Sequence, residues 1–441
     1  MTCCSTGSVP DRVEVPNRAA EVIADVDVCV AGGGPAGLGA ALAAARLGAR
    51  VCLLERHGFL GGNFTAASVG TICGLYVDEG GSFDYVTRGI AEEVAEALKA
   101  RSAAVGPMPF KGTAVLLYVP WAAKRLFDHL VTSEPNVHLL LHALVSDVVV
   151  RDGRLEAVIL ATKRGPQAVR ASVFVDATGD ADLVVFAGGE WDMAPTGHRQ
   201  HASMQFLMEH ADDPVVLSQG IGALATAIAD HGAHLSRDGG AVLPTFRPGE
   251  YIGAMTRVRA ADGSPLDVTD LAQATWGELE GRRLAEQAAT FLVEHVPGFD
   301  GAFLADTAPN LGVRESRRIV GDYVLTGADV SGGARFPDAV AAGAWPQEYH
   351  VEGRSTEYVN LPPGAYYQVP LRSLRPRGLP NLWVAGRCIS ADHDALASTR
   401  VMAPSLVLGQ AAGTAAVLDL RDEGGTEQVQ ASLREQGAFI G

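Results

Sequence analysis

At 441 residues the chain can hold two or three lobes around substantial cores. Its 47% apolar and 20% charged residues describe an ordinary globular protein, and a net charge of −16 argues against nucleic acid or an anionic membrane as partner. No uninterrupted apolar run approaches a membrane span, and the opening MTCCSTGSVPDRVEVPNR lacks a basic segment followed by an apolar core. The expectation is a cytoplasmic chain with a partly disordered lead-in over residues 1–25.

Residues 26–55, VDVCVAGGGPAGLGAALAAARLGARVCLLE, carry the strongest pattern. An apolar run meets Gly32, Gly34 and Gly37, an Ala-rich helical stretch follows, and a second apolar run ends at Glu55. This is the strand–turn–helix–strand of a dinucleotide-binding βαβ unit. Gly32 allows the tight turn, Gly34 lets the backbone approach a pyrophosphate, and Gly37 lets helix and strand pack closely. The pyrophosphate would rest on the free N–H groups at the start of the helix, where Pro35 and Ala36 lie and Pro35 lacks no needed donor. Glu55 can accept both ribose hydroxyls and disfavours a 2′-phosphate. Gly61, Gly62 and Asn63 form a second glycine loop.

Further along, residues 83–101 read as a surface helix with Ile90, Val94 and Leu98 on one stripe, and another helix runs from Pro120 to Thr132. A strand over residues 137–150, a turn at Asp152–Gly153, and the runs LEAVILATK and QAVRASVFVDATGD make a β-meander, with Gly179 opening a helix. From about residue 190 the βα-turns cease. A strand at 203–209, a helix around 214–230, a loose Gly/Pro/Arg segment at 232–268 and a long helix at 269–296 suggest an inserted substrate-side lobe. NLWVAGRCIS then returns as a strand running into glycine. PSLVLGQAAGTAAVLDL is apolar nearly all round and so is expected to be buried. Gly409 and Gly413 would let another element approach it closely. A short amphipathic helix ends the chain. The six cysteines show no C-x-x-C and no spacing for zinc, iron–sulfur or a redox dithiol, so no metal is expected.

Four separated stretches carry a resemblance: AGGGPAGLGAALAAARLGARVCLLERHGFLGGN, VDATGDADL, LGVRESRRIVGDYVLT, and YYQVPLRSLRPRGLPNLWVAGRCISADHDALASTRVMAPSLVLGQAAGTAA. Together the chain resembles the FAD-dependent oxidoreductase family (FAD_oxidored type), related to the flavoprotein subunits of fumarate reductase and succinate dehydrogenase. The likeness spans most of residues 26–420, while residues 212–300 match nothing in it. It implies an α/β fold: a GR2-type FAD-binding Rossmann-like domain with the βαβ unit and β-meander, plus an inserted α+β substrate (cap) domain. The expected division is 26–190 and 371–441 for the FAD-binding domain and 191–370 for the cap.

The resemblance also implies roles. Gly32, Gly34, Gly37 and Glu55 would hold the ADP half of FAD, with Arg56, Gly62 and Asn63 along the adenosine and pyrophosphate path and the Val145 backbone at the adenine edge. Asp176, Ala177, Thr178 and Gly179 would form a second contacting turn, and Gly386 and Arg387 a third along the ribityl chain. The helix starting near Pro404, with Met402, Ser405 and Leu406, would point its N-terminus at the flavin N1/C2 carbonyl. Reduced flavin carries negative charge there, which free N–H groups stabilise. Arg400 could act likewise, or be an exposed residue flanking the helix. Only one dinucleotide fingerprint exists, so no second NAD(P)H domain is expected.

Candidate chemistry centres on His350, as catalytic, substrate-binding or satisfied structural histidine, and on Arg314. The latter could clamp a substrate carboxylate or form an internal salt bridge with Glu315. His393, flanked by Asp392 and Asp394, follows the third turn. His198 and His201 are further candidates; Cys388 and Cys73 read as small buried fillers, and one of Tyr366 and Tyr367 as facing the isoalloxazine. The leading expectation is a dehydrogenase or oxidase taking a hydride from a small organic metabolite to flavin N5. Alternatives are a reductase of an activated C=C bond (fumarate or enoate type), for which Arg314, Arg317 and Arg318 partly supply the basic residues, a monooxygenase, and a non-catalytic FAD-binding module. Oxygen, a quinone or a partner protein stay open as electron acceptor, as does a homo-oligomer.

Overall fold

The apolar run at 26–30 is the C-terminal half of a longer strand, β1 (Glu21–Ala31), so the last residues of the expected lead-in are strand. The computed structural model describes residues 18–350 and 355–441, which leaves the rest of the lead-in, with Cys3 and Cys4, outside the described residues. Helix α1 (Pro35–Arg46) and strand β2 (Val51–Glu55) complete the βαβ unit, with Val28–Ala31 paired in parallel to Val51–Leu54. The helix at 83–101 is shorter than expected. Phe83–Tyr85 is a strand, and α2 (Ile90–Ala100) begins only after Gly89, whose φ of 73° breaks any helix reaching it. Its stripe of Ile90, Val94 and Leu98 is buried. Helix α3 spans Pro120–Thr132.

The run at 137–150 is two strands, because His142 takes φ 57° and turns the chain. The first, β3 (Val137–Leu141), extends the parallel sheet beside β2. The second, β4 (Leu144–Arg151), starts the meander with β5 (Arg154–Thr162) and β6 (Gly165–Asp176). The sheet order is β3-β2-β1-β6-β5-β4, parallel from β3 to β6 and antiparallel beyond. A short helix, α4 (Asp182–Phe186), follows the turn after β6.

In the inserted region β7 (Phe206–Glu209), α5 (Asp213–His231), β8 (Ala241–Pro244), β9 (Tyr251–Ala254), α6 (Leu271–His295) and β10 (Phe303–Thr307) form an α+β unit. Its four-stranded antiparallel sheet runs β8-β9-β7-β10, so the segment expected to be loose supplies two strands. The chain then makes the hairpin of β11 (Gln347–Tyr349) and β12 (Glu357–Val359), and β13 (Leu382–Val384) joins β6 in parallel. Helices α7 (His393–Thr399), α8 (Met402–Leu420) and α9 (Thr426–Glu435) close the fold.

Helix α8 is buried as expected but corrects the expectation that no apolar stretch approaches a membrane span. By length and composition it is apolar enough to cross a membrane, but 89% of its apolar window is buried inside the protein. Packing against α1 accounts for that. A Cβ on Gly409 or Gly413 would run into the backbone of Ala36 or Ala40, and one on Gly39 into that of Leu406. Small residues on both helices thus let the two backbones nearly touch.

Three large cores result among the described residues. The first joins the sheet to α1, α2, α3 and α8; the second, within Ala202–Leu311, belongs to the inserted unit; the third, with Cys29, Leu54, Val158, Phe174 and Val384, lies on the other face of the sheet. Leu325, Val340 and Tyr367, inside the 191–370 range expected for the cap, pack into the first.

Candidate active site

The ends of β1, β2, β6 and β13 and the N-termini of α1 and α8 converge on a cavity of about 550 Å³. At the first turn Gly32 has φ 101°. Gly34 caps α1, and a Cβ added there would meet nothing nearer than the Gly62 Cα at 3.8 Å, so its missing side chain leaves open space beside the helix end. Pro35, Ala36, Gly62 and Asn63 line the same stretch. Glu55 fixes the loop geometry: its two oxygens accept the N–H groups of Gly33 and His57, each at 2.8 Å. Burial raises its pKa above the usual carboxyl range, against the lowering by those two donors.

Arg56 and Ala143–Val145 line the next stretch. After β6, buried Asp176 accepts the Thr178 hydroxyl at 2.7 Å and the Leu183 N–H at 2.8 Å, and so shapes the Ala177–Gly179 turn. After β13, Gly386 and Arg387 reach the cavity, and Arg387 Nη2 donates to Asp180 at 2.9 Å. Burial works to raise Asp180, yet Arg387 and the Ser316 hydroxyl hold it below the ordinary carboxyl value. Arg387 Nη1 is buried with no partner among the described residues. Arg400, Met402 and Ser405 line the far end, at the start of α8.

Two expected contacts lie elsewhere. Gly37 faces the Gly32 carbonyl, where a Cβ would collide, so it serves packing rather than the cavity. Leu406 is buried against α1 beside Gly39. One wall was missed altogether: Leu271, Ala274, Thr275 and Glu278 of α6, with Asn310, Leu311 and Val313. The positions 271, 274, 275 and 278 share one helix face, and that spacing was readable in the sequence.

Behind Arg400 lies a polar cluster. Arg400 donates from Nη2 to the Gln200 side-chain oxygen at 3.1 Å and to the Glu348 carbonyl at 3.2 Å, so the alternative of an exposed flanking arginine is wrong. His350 is buried, with Nε2 on Glu348 at 3.0 Å and Nδ1 on the Thr356 hydroxyl at 3.3 Å. Burial and then Arg314 push its pKa well below the ordinary histidine value, against the raising by Glu348. Burial would raise Glu348, but His350, Arg400 and Arg314 hold it well below the usual range.

Arg314 donates to the His201 carbonyl at 2.8 Å and the Ser203 hydroxyl at 2.6 Å, rather than pairing with Glu315. Burial and neighbouring Arg400 lower it to about 9. Arg317 pairs with Asp182, and Arg318 with Glu315 and Asp192. His393 contacts Glu315 at 2.9 Å, not its sequence neighbours, because Asp392 caps α7.

His198 is exposed, whereas His201 is buried and its Nδ1 has no partner among the described residues. Cys388 is fully buried, and burial pushes its thiol well up. Cys73 is partly buried, and burial and then Glu348 push it to about 12. Neither tyrosine lines the cavity: Tyr367 bonds Ser398 in the core, and Tyr366 meets Phe439 edge to face.

A parallel sheet with a glycine turn at the first helix, and two further turns on the same cavity, defines a Rossmann-like dinucleotide-binding fold. The chain belongs to the FAD dependent oxidoreductase family, whose model matches residues 27–436. It is 32% identical over 172 residues to the thiamine thiazole synthase of Aeropyrum pernix, covering 36% of this chain and 56% of that protein. The chain thus spans little more than half the length of that curated relative.

Among solved structures it is similar to a geranylgeranyl bacteriochlorophyll reductase-like protein from Thermoplasma acidophilum (13% identity, 93% of this chain and 83% of that one, TM-score 0.46). It is also similar to the L-proline dehydrogenase from P. horikoshii (13% identity, 96% and 100%, TM-score 0.44). The relation to fumarate reductase stays a resemblance of sequence motifs. FAD is the cofactor the family implies, and the residues fit it. The open space at Gly34 admits a pyrophosphate, and the unpartnered Arg387 Nη1 is a free donor on the cavity wall.

Proposed function

We propose that this chain is a FAD-dependent dehydrogenase or oxidase that takes a hydride from a small organic metabolite. The observation that carries the reading is the meeting of the cavity's α8 end with the buried cluster of Arg400, Glu348, His350 and Arg314.

The N–H groups at the start of α1 and the gap at Gly34 would receive the pyrophosphate. Glu55 and Arg56 would meet the adenosine ribose, the Val145 backbone the adenine edge, and Arg387 the ribityl side. When bound, FAD supplies a two-electron acceptor at N5 whose reduced form carries negative charge. The N-terminus of α8 and Arg400 place positive charge at that end of the cavity. α6, with Asn310 and Leu311, forms one wall of the cavity.

The proton leaving the substrate needs an acceptor. His350 has both ring nitrogens engaged, so it positions Glu348 rather than offering a free base. His201 offers a buried, unpartnered Nδ1, and burial followed by Arg259 and Arg257 lowers its pKa to about 4, which keeps it neutral. It is the better candidate base. Arg314, beside it, would orient an anionic or carbonyl group of the substrate. The reductase direction needs several free arginines, and Arg317 and Arg318 are already engaged in ion pairs.

The test is anaerobic bleaching of the bound flavin by a metabolite panel. A substrate that bleaches wild type, with His201→Gln retaining FAD but bleaching far more slowly, supports the reading. A yellow protein inert to the whole panel would leave a binding module instead.

A further inference from the structure

Glu348 carried no signal in the sequence, yet it is the hub of the cluster behind the cavity. It lies on β11, and its pairing with β12 sets Tyr358 directly opposite. Its Oε1 accepts from His350 Nε2 at 3.0 Å and from the Tyr358 hydroxyl at 3.1 Å. Its other oxygen takes Trp345 Nε1 at 3.4 Å and stands 3.8 Å from Arg400 Nη2. Its main-chain oxygen accepts from Arg400 as well, at 3.2 Å. Side chain and backbone of this one residue therefore grip the arginine that lines the cavity beside Met402 and Ser405. Arg314, the second guanidinium of the cluster, forms no ion pair of its own among the described residues; its donors go to the His201 carbonyl and the Ser203 hydroxyl.

Two guanidiniums held close together away from bulk water repel each other unless an anion offsets them. Glu348 is the carboxylate placed to do so. We propose that Glu348 is a positioning residue for the flavin end of the cavity: its carboxylate anchors Arg400 there and offsets the positive charge of Arg400 and Arg314. The inference rests on the reading that FAD occupies the cavity with its ring end at the start of α8. Neutralising Glu348 while keeping its shape leaves the cations uncompensated, makes the local potential more positive and favours the negatively charged reduced cofactor.

The experiment measures the midpoint potential of FAD bound to the full chain by equilibration with reference dyes. FAD content of the wild type, measured first, tests the reading underneath; the potentials test Glu348. Glu348→Gln is expected to shift the potential to more positive values and Arg400→Gln to more negative ones. Glu348→Asp, which keeps the charge, stays near wild type. A purely structural Glu348 would lower thermal stability and leave the potential where it was, and an unchanged or more negative potential in Glu348→Gln overturns the proposal. If Glu348→Gln alone does not load FAD, Arg400→Gln is compared with E348Q/R400Q, in which both charges of the pair are gone. A more positive potential in the double variant supports the role, and an equal or lower one overturns it.

Discussion

The nucleotide-binding lobe and the inserted unit are built by different rules. In the first, α1 and α8 meet through glycine and alanine, and neither the turn at Gly32 nor the start of α1 at Gly37 tolerates a Cβ. In the second, a separate core of larger side chains, Met204, Phe206, Phe291 and Phe299 among them, carries an antiparallel sheet and α6. Backbone approach fixes one lobe nearly residue by residue, whereas volume filling fixes the other and leaves its sequence free to vary. The cavity lies between a wall set by backbone geometry and a wall set by packing.

The sharpest way to break this contrast is within the glycine turn. Gly34→Val has room in the folded chain but fills the space beside the α1 N-terminus. It should abolish FAD retention with little change in thermal stability, read from the visible spectrum and the melting temperature. Gly37→Val, whose side chain would strike the Gly32 carbonyl, should lose the fold itself.

In the inserted unit Phe291→Ala, at a 1% exposed position, should cost about 4 kcal/mol. Hydrogen exchange should quicken in α6 and β7–β10 before β1 and α1; equal acceleration in both lobes would mean one cooperative core.

Acid separates the lobes less strongly. His201 has a folded-state pKa of about 4 against an ordinary 6.5, so as pH falls the unfolded chain takes the proton first. Its contribution is fully present above about pH 6.5, and about 3 kcal/mol of stability is lost as the pH falls towards 4. Urea unfolding across that window should show the loss, and His201→Gln should flatten it.

The smallest effect concerns the helix that walls the cavity. Asp270 caps α6 by accepting the Gln273 N–H at 2.8 Å, so Asp270→Ala should cost about 1 kcal/mol and loosen that wall without removing FAD. Denaturant midpoints and FAD titration check both halves.

Legibility followed the same division. The βαβ unit, α3 and the meander were readable because glycine spacing, a helix-initiating proline and apolar runs broken by an Asp-Gly turn are local signals. The burial of α8 was readable from its uniform apolarity. The break at His142 and the strand before Gly89 were hidden, since a left-handed turn at a histidine and a three-residue strand leave no periodic trace.

Most of the cavity lining was readable through the three turns, but Leu406 was not separable from Met402 and Ser405, because one turn of a buried helix divides cavity from core. Glu348 stayed invisible for another reason. Two of its partners, Tyr358 and Arg400, come from separate segments, and only the folded chain gathers them. The pairing of His393 with Glu315 rather than with its neighbouring aspartates is the same lesson.

The most direct test of the whole account is the flavin content of the purified full-length chain. The spectrum of oxidised flavin, with a single FAD released per chain on denaturation, is the predicted result. A colourless chain that takes up no added FAD would contradict it.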